Sequence, residues 1–437
     1  MNLKNLKTIL CSAGAQKIYV KELAPNDNSK NQVYLGGSFD LLNIFPVSEI
    51  KTEDAGDWKR QRFKAETQFY WITDDGAITH APHSQFILYP KYPEVRFSGF
   101  LKNSENAPSS LMASRQEGRL LFLATAGSNI LGYVASGGSE LATEFYSMNS
   151  LDSQGVFKIV EIESEANNKL QLINELKRIH LQGWIDSWRL DKYGNKRECN
   201  APNCGGYTLE AELNVKPNGY AEPDFLGWEM KQFGVKNFDN NFNSEVITLM
   251  TPEPDGGLYC TSGVEAFIRK YGYPDRIKKD RMNFGGIYRN NALSHKNTGL
   301  ALKITGFDSS ANKITDVTGS IYLIDSNLSI AASWSFADLL KHWNRKHHLA
   351  CYVPSNNRTV PVRQYRYGRK VLMGSGTDFI LFLKQIHDGN VYYDPGIKLE
   401  NESTTAKIKR RSQFRIKAGN LINLYYSTEM VDILAVN

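Results

Sequence analysis

The segment AEPDFLGWEMKQF, residues 221 to 233, sets Asp224, Glu229 and Lys231 among Phe225, Leu226, Trp228, Met230 and Phe233. Charges interleaved with large apolar residues point away from a plain solvated surface. In a strand over 228 to 232 successive side chains face opposite sides, so Glu229 and Lys231 share one face while Trp228 and Met230 share the other. Gly227 supplies a bend that returns Asp224, at the end of a short preceding strand, to the side of Glu229. Two carboxylates brought together repel unless a positive charge lies between them, and Mg²⁺ is the hard cation that takes oxygen ligands while keeping water. Asp224 and Glu229 are therefore the candidate Mg²⁺ ligands, with Lys231 placed to orient or activate a water. That constellation suits phosphodiester hydrolysis.

The surrounding chain must hold these groups in place. Up to about residue 160 it reads as short β-rich segments broken by Gly, Asn and Ser, such as ETQFYWITDDGAITH and GRLLFLATAGSNILGYVA. The pattern then changes: EANNKLQLINELKRIHLQGW spaces Leu170, Ile173, Leu176 and Ile179 as one face of a helix. A polar loop over 185 to 204, a short helix around YTLEAEL, the hairpin and the strand EVITLMTPEP follow, and later strand and helix signals interleave. The expected fold class is α+β or α/β, with a C-terminal mixed sheet flanked by helices over 163–437 and a β-rich accessory domain over 1–162.

Length, at 437 residues, fits two domains, and 41% hydrophobic with 22% charged residues fits an ordinary folded chain. No apolar run is long enough to span a membrane, the opening residues read as a mature N-terminus, and the expected compartment is the cytoplasm. Five cysteines form an odd, sparse set, so Cys199 and Cys204 read as free thiols in a reducing compartment rather than half of a zinc site.

The net charge of +6 is uneven. Residues 1 to 160 carry 16 basic and 16 acidic side chains, and the remainder carries 36 and 30. Two clusters in that remainder hold no acid: RTVPVRQYRYGRK, with Arg358, Arg363, Arg366, Arg369 and Lys370, and KIKRRSQFRIK, with Lys407, Lys409, Arg410, Arg411, Arg415 and Lys417. Any one such run can be a solvated face, but beside a metal-type hairpin they suit a phosphate backbone, and an Arg fork can read guanine. The DNA-contact candidates are Arg363, Arg366, Arg369, Lys409, Arg410, Arg411 and Arg415, the last expected to be partly structural.

With GW at 183 to 184, GGYTLEAEL at 205 to 213, PDFLGWEMK at 223 to 231 and EVITLMTPEP at 245 to 254, the chain resembles the MvaI/BcnI restriction endonucleases, which belong to the PD…(D/E)xK nucleases. Blocks at 333 to 353, 376 to 397 and 409 to 426 are similar to later parts of that family in the same order. The resemblance implies catalytic roles for Asp224, Glu229, Lys231 and Glu210, the last as the helix glutamate behind the metal site. It also implies a monomer that cuts double-stranded DNA one strand at a time, with a cognate DNA methyltransferase as genetic partner. MutH-type nicking enzymes share the core, so a conditional or methylation-sensitive nicking nuclease is the alternative, and a DNA-binding regulator with a dead nuclease fold is a third. The block before FRI reads KIKRRSQFRI where the relatives have a histidine beside a glycine, so no target sequence carries over. Residues 1 to 160 have no counterpart in the small members; the stretch 89 to 112, with Lys91, Arg96 and Lys102, and Arg115 just after it, near Tyr92 and Phe97, is a candidate ligand loop there.

Overall fold

A computed structural model describes the chain except residues 26–31, 55–60, 92–93, 163–164, 202, 217–222, 239–241, 243–244, 344–346 and 437. Tyr92, the 162/163 boundary and the first two residues of the 221–233 segment lie at or within these gaps. The chain divides into two compact units, Met1–Leu172 and Ile173–Asn437. The division falls inside helix α1, Glu165–Leu181.

The first unit is β-rich. A seven-stranded sheet runs, in spatial order, through 153–154, 157–161, 17–22, 120–126, 129–135, 68–72 and 78–80, and a five-stranded antiparallel sheet through 32–36, 94–98, 85–89, 62–66 and 49–53. Aromatic side chains fill its interior: Phe63, Phe69, Trp71, Phe86 and Phe97 are buried, and the Trp71 indole donates to the Phe100 carbonyl at 2.8 Å. Burying so much aromatic surface while pairing the polar ring nitrogen is what allows a loop-rich module to fold.

In the second unit the helical period of α1 is real but its apolar face is rotated. Leu172, Ile173, Leu176 and Ile179 are buried and Leu170 is 39% exposed, because the helix is covered along the stripe that begins at 172. Arg178 and His180 close its last turn, where positive charge meets the helix dipole. After it come β1, Ile185–Asp186, and a small hairpin of Trp188–Leu190 with Lys196–Glu198. The loop expected over 185 to 204 is thus in part strand, and only 191–195 form the hairpin turn, in which the Asp191 carboxylate accepts from the Tyr193 and Asn195 amides at 2.9 Å each.

The hairpin also corrects the reading of the cysteines. Cys199 and Cys204 form a disulfide, with their Cα atoms 5.8 Å apart, while Cys11, Cys260 and Cys351 are free. The turn into helix α2, Cys204–Glu212, folds the chain back on itself and brings the two within bridging reach, which their separation in sequence does not reveal.

The central sheet is mixed. Strand β2, Glu229–Gly234, lies parallel to β3, Leu349–Arg358, with Glu229 opposite Ala350 and Lys231 opposite Tyr352. β3 pairs antiparallel with β4, Gln364–Tyr367, and β5, Lys370–Ser375, which follow one another along it. β1 joins the outer side of β4, and β6, Ser427–Asp432, joins β5. Helix α2 packs on β2 and on the Trp188–Leu190 strand, and helices Phe336–Trp343 and Phe379–His387 pack through Trp343 and Phe382. Smaller antiparallel sheets carry the C-terminal basic cluster, with Lys409 in Lys407–Lys409 and Arg415 in Phe414–Lys417. Among the described residues, no helix is long and apolar enough to cross a membrane.

Candidate active site

The bend before β2 is a two-residue hairpin. Phe225 and Trp228 exchange both backbone hydrogen bonds, at 2.8 and 3.0 Å, around Leu226 (φ +48°) and Gly227 (φ +85°). Two consecutive positive φ values are the signature of a type I′ turn, whose twist matches that of the flanking strands. Gly227 meets this requirement freely, but Leu226 does not, and holding it there costs roughly 1–2 kcal/mol. Sequence alone pointed only to the glycine. Trp228, Met230 and Phe233 are all buried, and a buried Met or Phe side chain contributes roughly 1.5–3 kcal/mol, so packing outweighs the strain.

The turn carries Asp224 back beside β2, where its Oδ2 accepts the Met230 amide at 2.8 Å. Glu229 is 2% exposed, and its Oε1 lies 2.6 Å from the Lys231 Nζ. Strand alternation puts both on one face, as the period of two predicts. Burial of Lys231 works against its charge, but Glu229, then Asp224 and Glu210, outweigh it and hold the ammonium above its ordinary value of 10.5. Lys231 is thus in direct contact with Glu229 and within electrostatic reach of Asp224 and Glu210.

Glu210 reaches this cluster from α2. The helix sits close to the sheet because Gly205 lies in its first turn: a Cβ there would lie 2.8 Å from the Gln232 side-chain oxygen and 3.0 Å from the Tyr365 ring. Gln232 is itself pinned by a 2.6 Å bond to Ser355, and the Tyr367 hydroxyl donates to the Gly205 carbonyl at 2.8 Å. At the other end of α2, Arg178 of α1 donates to the Glu212 carbonyl at 2.6 Å. Tyr352, opposite Lys231 on β3, and Tyr425 are buried with their hydroxyls 2.7 Å apart. Burial raises the Tyr352 phenol well above its usual range, and Tyr425 and Glu229 add to the shift. No local motif marks this pair, which only the pairing of β3 with β2 brings to the site.

The basic candidates separate into two groups. Arg369 is held by the Asp432 carboxylate, Lys409 by Glu400 at 2.7 Å, and Arg415 by Asp394 at 2.6 Å. Arg363, Arg366, Arg410 and Arg411 have no carboxylate partner among the described residues, and all but Arg363 are exposed. Arg366 instead lies 5.1 Å from the ring centres of both Trp184 and Phe238.

Residues 173–425 match the model of the MvaI/BcnI restriction endonuclease family. The chain belongs to that family. Two solved structures are similar to this chain: "Restriction endonuclease MvaI-cognate DNA substrate complex", 16% identical over 61% of this chain and 98% of that one with a TM-score of 0.44, and "Restriction endonuclease MvaI in the absence of DNA", 16% identical over 62% and 99% with a TM-score of 0.34. A search of curated proteins gives no match. The Asp224, Glu229, Lys231 and Glu210 cluster lies inside the span that matches the family.

The donor set of the site fits a hard divalent cation. Among the described residues no group of three or more His, Cys, Asp or Glu side chains is arranged as a metal cage. Mg²⁺ does not need one, because it is commonly held by one or two carboxylates with substrate phosphate and water completing the shell. Asp224 and Glu229 would supply those two carboxylates.

Proposed function

We propose that this family member is a Mg²⁺-dependent, site-specific double-stranded DNA endonuclease of the type II restriction class. The observation that carries the reading is the 2.6 Å contact of Glu229 with Lys231 inside a cluster that includes Asp224 and Glu210. Asp224 and Glu229 would hold Mg²⁺ against the scissile phosphate. When bound, the metal lowers the pKa of a water and stabilises charge on the phosphate oxygens. Lys231, kept protonated by its carboxylate neighbours, orients that water and offsets charge developing on the phosphate, rather than removing a proton. Glu210 positions Lys231 from behind, and the Tyr352–Tyr425 pair holds the Glu229 side of the site in place.

Arg363, Arg366, Arg410 and Arg411 are the DNA contacts in this reading, while Arg369, Lys409 and Arg415 serve the protein first through Asp432, Glu400 and Asp394. The protein would act as a monomer in the cytoplasm, beside a methyltransferase encoded with it, and residues 1–162 would form an accessory domain that aids recognition or regulates cutting. The test is digestion of unmethylated phage DNA with Mg²⁺ beside a Lys231→Ala control, followed by sequencing of the ends. Discrete fragments with one shared end sequence from the wild type alone are expected. Cutting by the control at the wild-type rate sinks the assignment of Lys231, and nicks alone move the reading to the conditional nicking nuclease.

A further inference from the structure

The sheet register places a second feature on the face that carries Glu229 and Lys231. Lys231 is opposite Tyr352, and Asn356 is opposite Arg366. Tyr352, Asn356 and Arg358 are spaced by even numbers along β3, so their side chains leave the same face. Directly paired residues also share a face, which puts Arg366 and Arg358 on the side of Glu229 and Lys231. Four residues along β3 and two strand spacings across the sheet separate the backbones of Lys231 and Arg366 by roughly 16 Å. That is about half a turn of B-DNA or less.

Both arginines stack on one ring. The Arg358 guanidinium lies 4.6 Å and that of Arg366 5.1 Å from the centre of the Trp184 indole, and Phe238 flanks Arg366 at 5.1 Å. Arg358 also donates to the Gln364 side chain at 2.6 Å, and Gln364 donates to Asp186 at 2.7 Å. Neither arginine has a carboxylate of its own among the described residues, and both are exposed. Two guanidiniums against one indole repel each other, although each is attracted to the ring face. An anion bridging them relieves that repulsion, and the planar fork of Arg is suited to phosphate oxygens.

We infer that Arg358 and Arg366, splayed on Trp184, form a phosphate clamp that grips the DNA backbone away from the scissile phosphate, on the catalytic face of the sheet. This rests on the nuclease reading above for its ligand, a duplex DNA backbone. Trp184 is the positioning residue, fixing both guanidiniums before DNA arrives.

The test uses the full chain in a Lys231→Ala background with Mg²⁺, so that binding to a duplex DNA fragment is read without cutting. Affinity is measured across a salt series for that protein and for versions that also carry R366Q, R358Q with R366Q, or W184A. Each phosphate contact contributes about 0.9 to the slope of log affinity against log salt. Loss of about 0.9 in the slope for R366Q and about 1.8 for the pair, with weaker binding but an unchanged slope for W184A, supports the clamp. A slope and affinity unchanged in both R366Q and the pair overturn it. If the pair fails to fold, judged by its melting curve, R366Q alone decides. A wild-type chain that binds DNA without cutting it overturns the catalytic assignment and leaves the slope to judge the clamp, whereas a chain that binds no duplex overturns both.

Discussion

Burial opposes the charge of Lys231, but the contact with Glu229 and the charges of Asp224 and Glu210 outweigh it and hold its pKa raised. Folding then favours the protonated lysine, so the pair's contribution to stability is fully present below the ordinary value of 10.5 and is lost as pH rises through the higher folded value. Compared with a Lys231→Met protein, the wild type is expected to show a constant difference in thermal stability from pH 6 to 9 and a shrinking one in the alkaline range above about 10.5. Melting curves across that range check it, and a difference that shrinks near neutrality would contradict the charge balance at the site. In the proposed reaction, Lys231→Ala and Glu229→Gln should each lower the cleavage rate by at least about 10²–10³-fold, the loss seen on removing one group that stabilises developing charge. Single-turnover cleavage measures it, with DNA binding retained.

At the scale of elements, the site depends on how closely α2 approaches β2. Gly205→Ala puts a methyl against the pinned Gln232 side chain and the Tyr365 ring, so it is expected to destabilise the fold by about 1–3 kcal/mol, as overpacking does. Urea denaturation gives that value, and a neutral result would mean that α2 can shift without cost. Gly227→Ala acts differently: nothing lies near its Cβ, and the expected loss of about 1 kcal/mol comes from its positive φ alone. Both changes alter the support of Asp224, Glu229 or Glu210 without removing a reacting group, so cleavage should weaken with stability and not vanish.

For the whole molecule, the match to the family and the second compact unit both begin at residue 173, within α1. A fragment over 163–437 keeps that helix whole and is expected to retain Mg²⁺-dependent, Lys231-dependent cutting, with its site preference or control altered by the loss of the first domain. Mapping the ends it makes against those of the full chain tests this. Complete loss of cutting in a folded fragment would assign the first 162 residues a part in catalysis.

The local arithmetic of the chain was enough to put Glu229 and Lys231 on one strand face and to return Asp224 beside that strand, because a strand period of two and a glycine bend act over a few residues. It was also enough for the helix around 165 to 181 and for the β-rich character of the first unit, although Leu172 rather than Leu170 proved to be buried. Which basic residues are available could not be read locally. Asp432, Asp394 and Glu400 capture Arg369, Arg415 and Lys409 from outside the basic segments that hold them, and the parallel pairing of β2 with β3 joins parts of the chain far apart in sequence. The stack of Arg358 and Arg366 on Trp184 has the same origin. Sequence determined which charged groups share a strand face or a bend, since that follows from residue type and short-range periodicity; tertiary structure decided which of them keep a charge partner, since charge partners and stacking neighbours are set by contacts across the fold.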